Sequence, residues 1–230
     1  QSLAGSEFSV IREGIICPIF VVASVFESGT LIRKRYRLKS KEITMTDLEG
    51  ILQRLDCLES HQSIRTLATA YAIACDEHDI PRLADLFSEN AVFCSPNGAM
   101  VSTGRDAIRD MFSVILKTRG PGFHWTHDVH ATIDPYNVDR ATGLVYSHAE
   151  TTPNGVASLA AMKYKDSYVR EDGVWRFSRR EINFFYYVPV TKYNEGLNQT
   201  DRVFIEGTWH AADFPESLAS WQRFASEDAL

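Results

Sequence analysis

Asp76 and His124 offer a carboxylate and an imidazole on two segments that read as a helix end and a strand. A carboxylate that accepts a hydrogen bond from one imidazole nitrogen fixes the tautomer and leaves the other nitrogen as a base. In an apolar cavity such a base removes a C–H proton beside a carbonyl or opposite a leaving group. Tyr71, five residues before Asp76, offers a phenol that can steady an enolate oxygen. Five residues at 100° each put the two side chains about 140° apart on a straight helix. They share a cavity only if the helix end distorts or the cavity surrounds it. His148 follows His124 by 24 residues, on the candidate neighbouring strand, and offers a second imidazole. On its strand it shares a face with Leu144, Tyr146 and Glu150, so a period of two does not direct it inward.

The strand around His124 poses a problem of parity. His124, Thr126, Asp128, His130 and Thr132 alternate with Trp125, His127, Val129, Ala131 and Ile133. One face is polar, and if it faces solvent the dyad fails; a bulge within the segment would change the parity. His124, His127 and His130 do not make a zinc site on a strand, because a spacing of three alternates faces. The chain holds no GxGxxG or other Gly-rich phosphate loop and no GxSxG elbow. The expected chemistry therefore uses neither cofactor nor metal.

The elements that must position these groups follow from periodicity. Leu48, Ile51, Leu52 and Leu55 repeat at helical spacing, as do Ile64, Leu67, Ala68, Tyr71, Ala72 and Cys75. Thr46-Asp47-Leu48-Glu49 fits a capping box at the first of these helices. Asp79 caps a further helix with Pro81 in its first turn. Ala91–Ser95 and Ala99–Thr103 read as a hairpin about Pro96-Asn97-Gly98. Gly104 leads into a helix with Ile108, Met111, Phe112 and Ile115 on its core face. Four long extended segments follow, 123–133, 141–152, 156–170 and 174–188, broken by Asp134-Pro135, Pro153-Asn154-Gly155 and Glu171-Asp172-Gly173. Helices first and a long meander last predict an α+β fold: a cone-shaped barrel in which a curved, mainly antiparallel sheet wraps around N-terminal helices. The cone is a natural ligand pocket. The run Phe184-Phe185-Tyr186-Tyr187 ends the last strand, and its inward members would suit a flat, ringed substrate. Arg179 and Arg180 either orient an acidic group or pair with Asp166 and Glu181.

Residues 60–188 resemble the SnoaL-like branch of the nuclear transport factor 2-like superfamily. The resemblance rests on Ile64, Tyr71, Asp76-Glu77-His78-Asp79, Leu83-Ala84-Asp85-Leu86-Phe87, Ala91-Val92-Phe93 and Gly104-Arg105-Asp106-Ala107-Ile108. It continues through His124-Trp125-Thr126-His127-Asp128, Tyr164-Lys165-Asp166, Arg170 and Asp172-Gly173-Val174-Trp175-Arg176-Phe177 to Arg180. That branch includes polyketide cyclases, dehydratases, a dehydrochlorinase, isomerases and non-catalytic members. The resemblance implies an Asp76–His124 dyad, with Tyr71 at the interval seen in one dehydratase group and His148 near a second acid. At Asp128 the chain departs from the motif, which often has Asn. The implied function is a cofactor-independent lyase or isomerase of the dehydratase or cyclase type, acting on a hydrophobic, cyclic small molecule. The alternative is a non-catalytic binding or scaffold protein on the same fold.

Composition bounds the partners. The 230 residues carry 24 basic and 30 acidic groups, net −6, which argues against a general affinity for nucleic acid. No apolar run approaches the ~18 residues of an ordinary membrane span. Residues 1–44 carry seven basic and four acidic groups, opposite in sign to the remainder, and read as a leader, an extension or upstream translated sequence, with no role assigned. The barrel is expected over 45–188 and a packing tail over 189–230. Cys57 and Cys75 lie in apolar helical patterns and read as buried thiols of a reducing, cytoplasmic compartment. Apolar residues on both parities of 174–188 predict a homodimer or homotrimer.

Overall fold

A computed structural model describes residues 20–27, 30–37 and 44–227, the first two stretches by their backbone alone. The chain divides into two units, residues 1–56 and 57–230. In the first, β1 (Phe20–Glu27) and β2 (Thr30–Arg37) form an antiparallel pair. Strand β2 carries Arg33, Lys34, Arg35 and Arg37 of the basic groups counted above; Cys17 lies outside the described residues.

Helix α1 (Met45–Asp76) is one continuous element where the periodicity suggests two. Its cap sits two residues before the expected one. The Thr44 hydroxyl accepts from the Asp47 N–H at 3.1 Å, and the Asp47 carboxylate accepts from the Thr44 N–H at 3.1 Å. The apolar positions of its first half, Ile51, Leu52 and Leu55, are exposed. From Ser60 onward the buried positions Ser60, Ile64, Leu67, Tyr71, Ala74 and Cys75 step along one face at three- and four-residue intervals. Cys57 lies on the same face one turn before burial begins and is exposed, against expectation.

Helix α2 (Ile80–Asp85) starts as expected, with the Asp79 carboxylate accepting from the Arg82 N–H at 3.1 Å. Strand β3 (Phe87–Cys94) and β4 (Val101–Thr103) form the hairpin, and α3 (Arg105–Arg119) follows. Strands β5 (Gly122–Asp134), β6 (Asn137–Thr151), β7 (Ser158–Glu171) and β8 (Val174–Pro189) make an antiparallel meander. The fold is thus α+β, with the second half of α1, α2 and α3 sharing one core with the inner face of a strongly bulged sheet.

The far edge of β8 is shared between two neighbours. Strand β3 runs parallel to it along Phe177–Glu181. Beyond α4 (Tyr193–Gly196), β9 (Asp201–Ile205) meets it at Tyr187 and carries β10 (Thr208–Ala211) as its hairpin partner. A last helix, α5, spans Ala219–Glu227. The tail therefore extends the sheet and does not merely pack on it. It also covers part of the outer face of β8, where Phe185 meets Phe214 and Tyr186 meets Tyr193. Some of the covering expected from a second copy is supplied by the chain itself.

Candidate active site

The end of α1 sets the first half of the site. After Asp76 the chain turns through His78, whose φ of 55° is left-handed, and the Asp79 N–H returns to the Ala74 carbonyl. Asp76 therefore stands on the last turn, beside the first residues of β5.

There the dyad forms. His124 Nδ1 lies 2.6 Å from Asp76 Oδ1, and the His124 backbone N–H donates to Asp76 Oδ2 at 3.0 Å. One carboxylate thus grips both the ring and the backbone of the histidine. The His124 side chain is only 6% exposed and that of Asp76 25%. With Nδ1 donating to the carboxylate, Nε2 is the nitrogen left to accept a proton.

Two bulges decide which residues join His124 inside. Thr126 pairs with Ser147 and Val129 with Val145, so His127 and Asp128 oppose Tyr146 alone. His124 and Thr126 thereby face the same side as Val129, Ala131 and Ile133, which pack against the core. The polar positions Asp128, His130 and Thr132 turn outward. On β8 the extra residue is Phe185, because Met162 pairs with Phe184 and Ala161 with Tyr186. Strict alternation fails there, and Phe184 and Tyr187 both face inward.

The resulting pocket is narrow, with about 20 Å³ open to the centre of a water molecule. Apolar side chains dominate its wall, among them Phe93, Met100, Phe112, Met162 and Phe184. The polar groups are His124, Tyr71, Tyr164, Thr151, Tyr187 and Arg119. The Thr151 and Tyr187 hydroxyls sit 3.1 Å apart. Asp76 is not part of the wall; it supports His124 from behind. Tyr71 is itself part of the wall, so the wide angle between the two on the helix does not separate it from the site.

Burial sets the protonation of the neighbours. The Tyr71 phenol is held well above its ordinary range, chiefly by burial and then by Cys75 and Tyr164, against the pull of Arg180 and Arg119. Burial pushes both the Tyr164 phenol and the Cys75 thiol up to about 12. At neutral pH all three keep their protons. They can donate hydrogen bonds, and none of them is a base at that pH.

His148 does not join this group, a correction to the sequence-based expectation. It pairs across the sheet with Trp125, whereas His124 pairs with Ala149, so the two histidines leave opposite faces. Outside, His148 Nδ1 lies 2.8 Å from His127 Nε2, and its ring meets Tyr186. Burial, and then His127, lowers its pKa. A group on that face cannot reach a leaving group in the pocket.

Two cations complete the picture. Arg180 is buried beneath Tyr71, its guanidinium carbon 3.8 Å from the Tyr164 ring centre and 4.1 Å from that of Tyr71. Its Nε lies 3.6 Å from Asp166 Oδ1, and Arg179 pairs with Glu181 at 2.9 Å. These arginines pair with carboxylates, the second of the two uses the sequence offered. Arg119 was missed. It is the last residue of α3 and reads in sequence as one more basic residue at a helix C-terminus; only the fold brings it to the pocket wall.

Comparison with known proteins agrees with this architecture. The chain is 26% identical over 140 residues to the gamma-hexachlorocyclohexane dehydrochlorinase of Sphingobium indicum, covering 59% of this chain and 87% of that protein. The crystal structure of a type 2 hexachlorocyclohexane dehydrochlorinase superposes with a TM-score of 0.55 at 23% identity, covering 60% of this chain and 93% of the other. A candidate scytalone dehydratase from Novosphingobium aromaticivorans gives a TM-score of 0.55 at 22% identity over 71% of this chain and 97% of its own. The SnoaL-like domain family model matches residues 56–181, more than half of the sequence and a stretch that holds both Asp76 and His124: the chain belongs to the SnoaL-like domain family.

Proposed function

We propose that the protein is a cofactor-independent lyase or isomerase, of dehydratase, dehydrohalogenase or cyclase type, acting on a hydrophobic, cyclic small molecule. The observation that carries this reading is the contact of 2.6 Å between Asp76 and the His124 side chain at the wall of a largely apolar pocket. In an elimination, His124 Nε2 takes the proton from carbon. The C–H electron pair becomes the new C=C bond, and the leaving group departs with its own bonding pair. In an isomerisation or ring closure the same proton transfer yields an enolate. Tyr71 donates to the developing oxyanion, and Asp76 balances the imidazolium. With His148 outside, Arg119 is the cation best placed to meet a departing anion. Dehydrochlorinases among the relatives support the lyase reading at family level.

The non-catalytic alternative would be favoured by a carboxylate and imidazole out of reach of each other and open to water; the dyad has the opposite geometry. The test is incubation with ring β-hydroxyketones, following conjugated product by ultraviolet absorbance. Enone formation by the wild type that fails in His124→Ala supports the reading. A bound ketone with no turnover in either protein supports a binding role.

A homodimer or homotrimer is part of the same proposal. The outer face of β5 carries Phe123 and Trp125, 55% and 48% exposed, which suits contact with another copy. A strictly monomeric mass by light scattering at micromolar concentration contradicts it.

A further inference from the structure

The pocket at His124 is not the end of the concave surface. A second, wider cavity, with about 480 Å³ open to the centre of a water molecule, lies along the edge of β8. One wall is the β3–β4 turn, with Asn97 and Ala99. The opposite wall is the β9–β10 hairpin, with Val203, Ile205 and Thr208. Met100 and Phe184 line both cavities. Two side chains are therefore common to the outer space and the catalytic one. Methionine is the most adaptable apolar side chain, so this partition can yield to a ligand.

The outer wall is built, not draped. Between the stretches where β3 and β9 pair with β8, Phe184 is held on both sides of its peptide. Its N–H donates to the Asp213 carboxylate at 2.7 Å, and its carbonyl accepts from the Asp213 N–H at 2.9 Å. Arg202, 7% exposed, ties the hairpin to the rest of the tail. It donates to the carbonyls of Phe185, Gln199 and Phe214 and forks onto both oxygens of Glu216 at 2.8 Å. Trp209 closes over Gly196 so tightly that a Cβ there would meet its ring at 2.6 Å. This wall lies beyond residues 56–181, the part of the chain that matches the family.

Its chemistry is two-sided. Met100, Phe184, Val203 and Ile205 give apolar surface, while Asn97, Thr208 and His210 offer hydrogen bonds. Glu206 and Asp213 add carboxyl groups and disfavour an anion.

We propose that the outer cavity is a second subsite of the same binding site. It receives the second ring of a two-part substrate whose reactive ring sits at His124, and it prefers a hydroxylated, non-anionic end. The proposal rests on the functional reading above and narrows its substrate class. The β9–β10 hairpin, outside the shared domain, then sets specificity.

The test uses the full chain and two ketone probes, cyclohexanone and 4-phenylcyclohexanone, titrated by NMR. The two-ring ketone should bind about tenfold tighter or better, as burial of a further aromatic ring implies. Ala99→Trp and Ala211→Trp, which fill the outer cavity from opposite walls, should each collapse the affinity ratio between the probes. Ala160→Phe, which fills the inner pocket, should weaken both. If cyclohexanone binds and Ala160→Phe weakens it, but the ratio is near one or survives both tryptophan variants, the outer subsite is wrong while the inner pocket stands. If neither ketone binds, the pocket reading falls and the subsite with it.

Discussion

Asp76 holds His124 at two points, ring and backbone, through the two oxygens of one carboxylate. The double contact fixes ring orientation and tautomer together. Asp76→Asn keeps the shape but offers only one oxygen, so either the ring or the backbone N–H loses its acceptor. We expect the variant to fold and to lose about 10²–10⁴-fold in kcat, the range of a disabled general base. Circular dichroism alongside turnover checks it, and full activity in a folded variant removes Asp76 from the mechanism.

Tyr71 separates ring from hydroxyl. Its ring packs edge-on against Phe87, Phe112, Tyr164 and Phe177. Tyr71→Phe should therefore retain the fold and lose about 10²-fold or more in kcat, as removal of an oxyanion donor does. Tyr71→Ala should cost about 3–5 kcal/mol of stability through the cavity it leaves. Denaturant melts distinguish the two; a phenylalanine variant with wild-type kcat ends the oxyanion role.

His148→Ala should leave kcat at the wild-type level, because the side chain projects from the opposite face of the sheet to His124. A large fall in kcat with unchanged structure would mean that the outer face takes part in the chemistry.

Asp166 gives the fold a pH signature. Burial raises its carboxyl from 3.8 to about 6, against the pull of Arg180 and of the Tyr168 hydroxyl, which donates to it at 2.9 Å. Between those values the folded chain holds a proton that the unfolded chain has released. This group's contribution to stability therefore falls as pH rises from about 4 to about 6 and is level above that. Urea midpoints across this range should slope downward in the wild type relative to Asp166→Asn. Parallel profiles would contradict the assignment.

The meander, α2, α3 and the turn residues between them were legible because local rules act there: apolar period, Asp79 capping, and Asn, Asp and Gly at turns. The dyad was legible as residue types, and its orientation was not. A strict period of two put His124 on the polar face with Asp128 and His130, and the extra residue at His127–Asp128 reverses the parity after Thr126. A bulge satisfies no pattern that alternation can reveal. The same holds at Phe185, whose insertion lets Phe184 and Tyr187 line one pocket. His148 looked plausible from its distance along the chain, and only the cross-strand register excludes it. The β9–β10 hairpin escaped because its strands are short, and it is held by contacts of Arg202 to Phe185, Phe214 and Glu216 and of Asp213 to Phe184, all twelve or more residues apart in sequence.

The account's central claim is that His124 is a general base toward carbon. The most direct measurement is proton exchange at the acidic C–H of 2-tetralone in deuterium oxide, followed by NMR with wild type and His124→Ala. The account predicts exchange well above buffer with the wild type and a return to the buffer rate with the variant. Equal exchange by the two proteins, or wild-type exchange no faster than buffer, would contradict it.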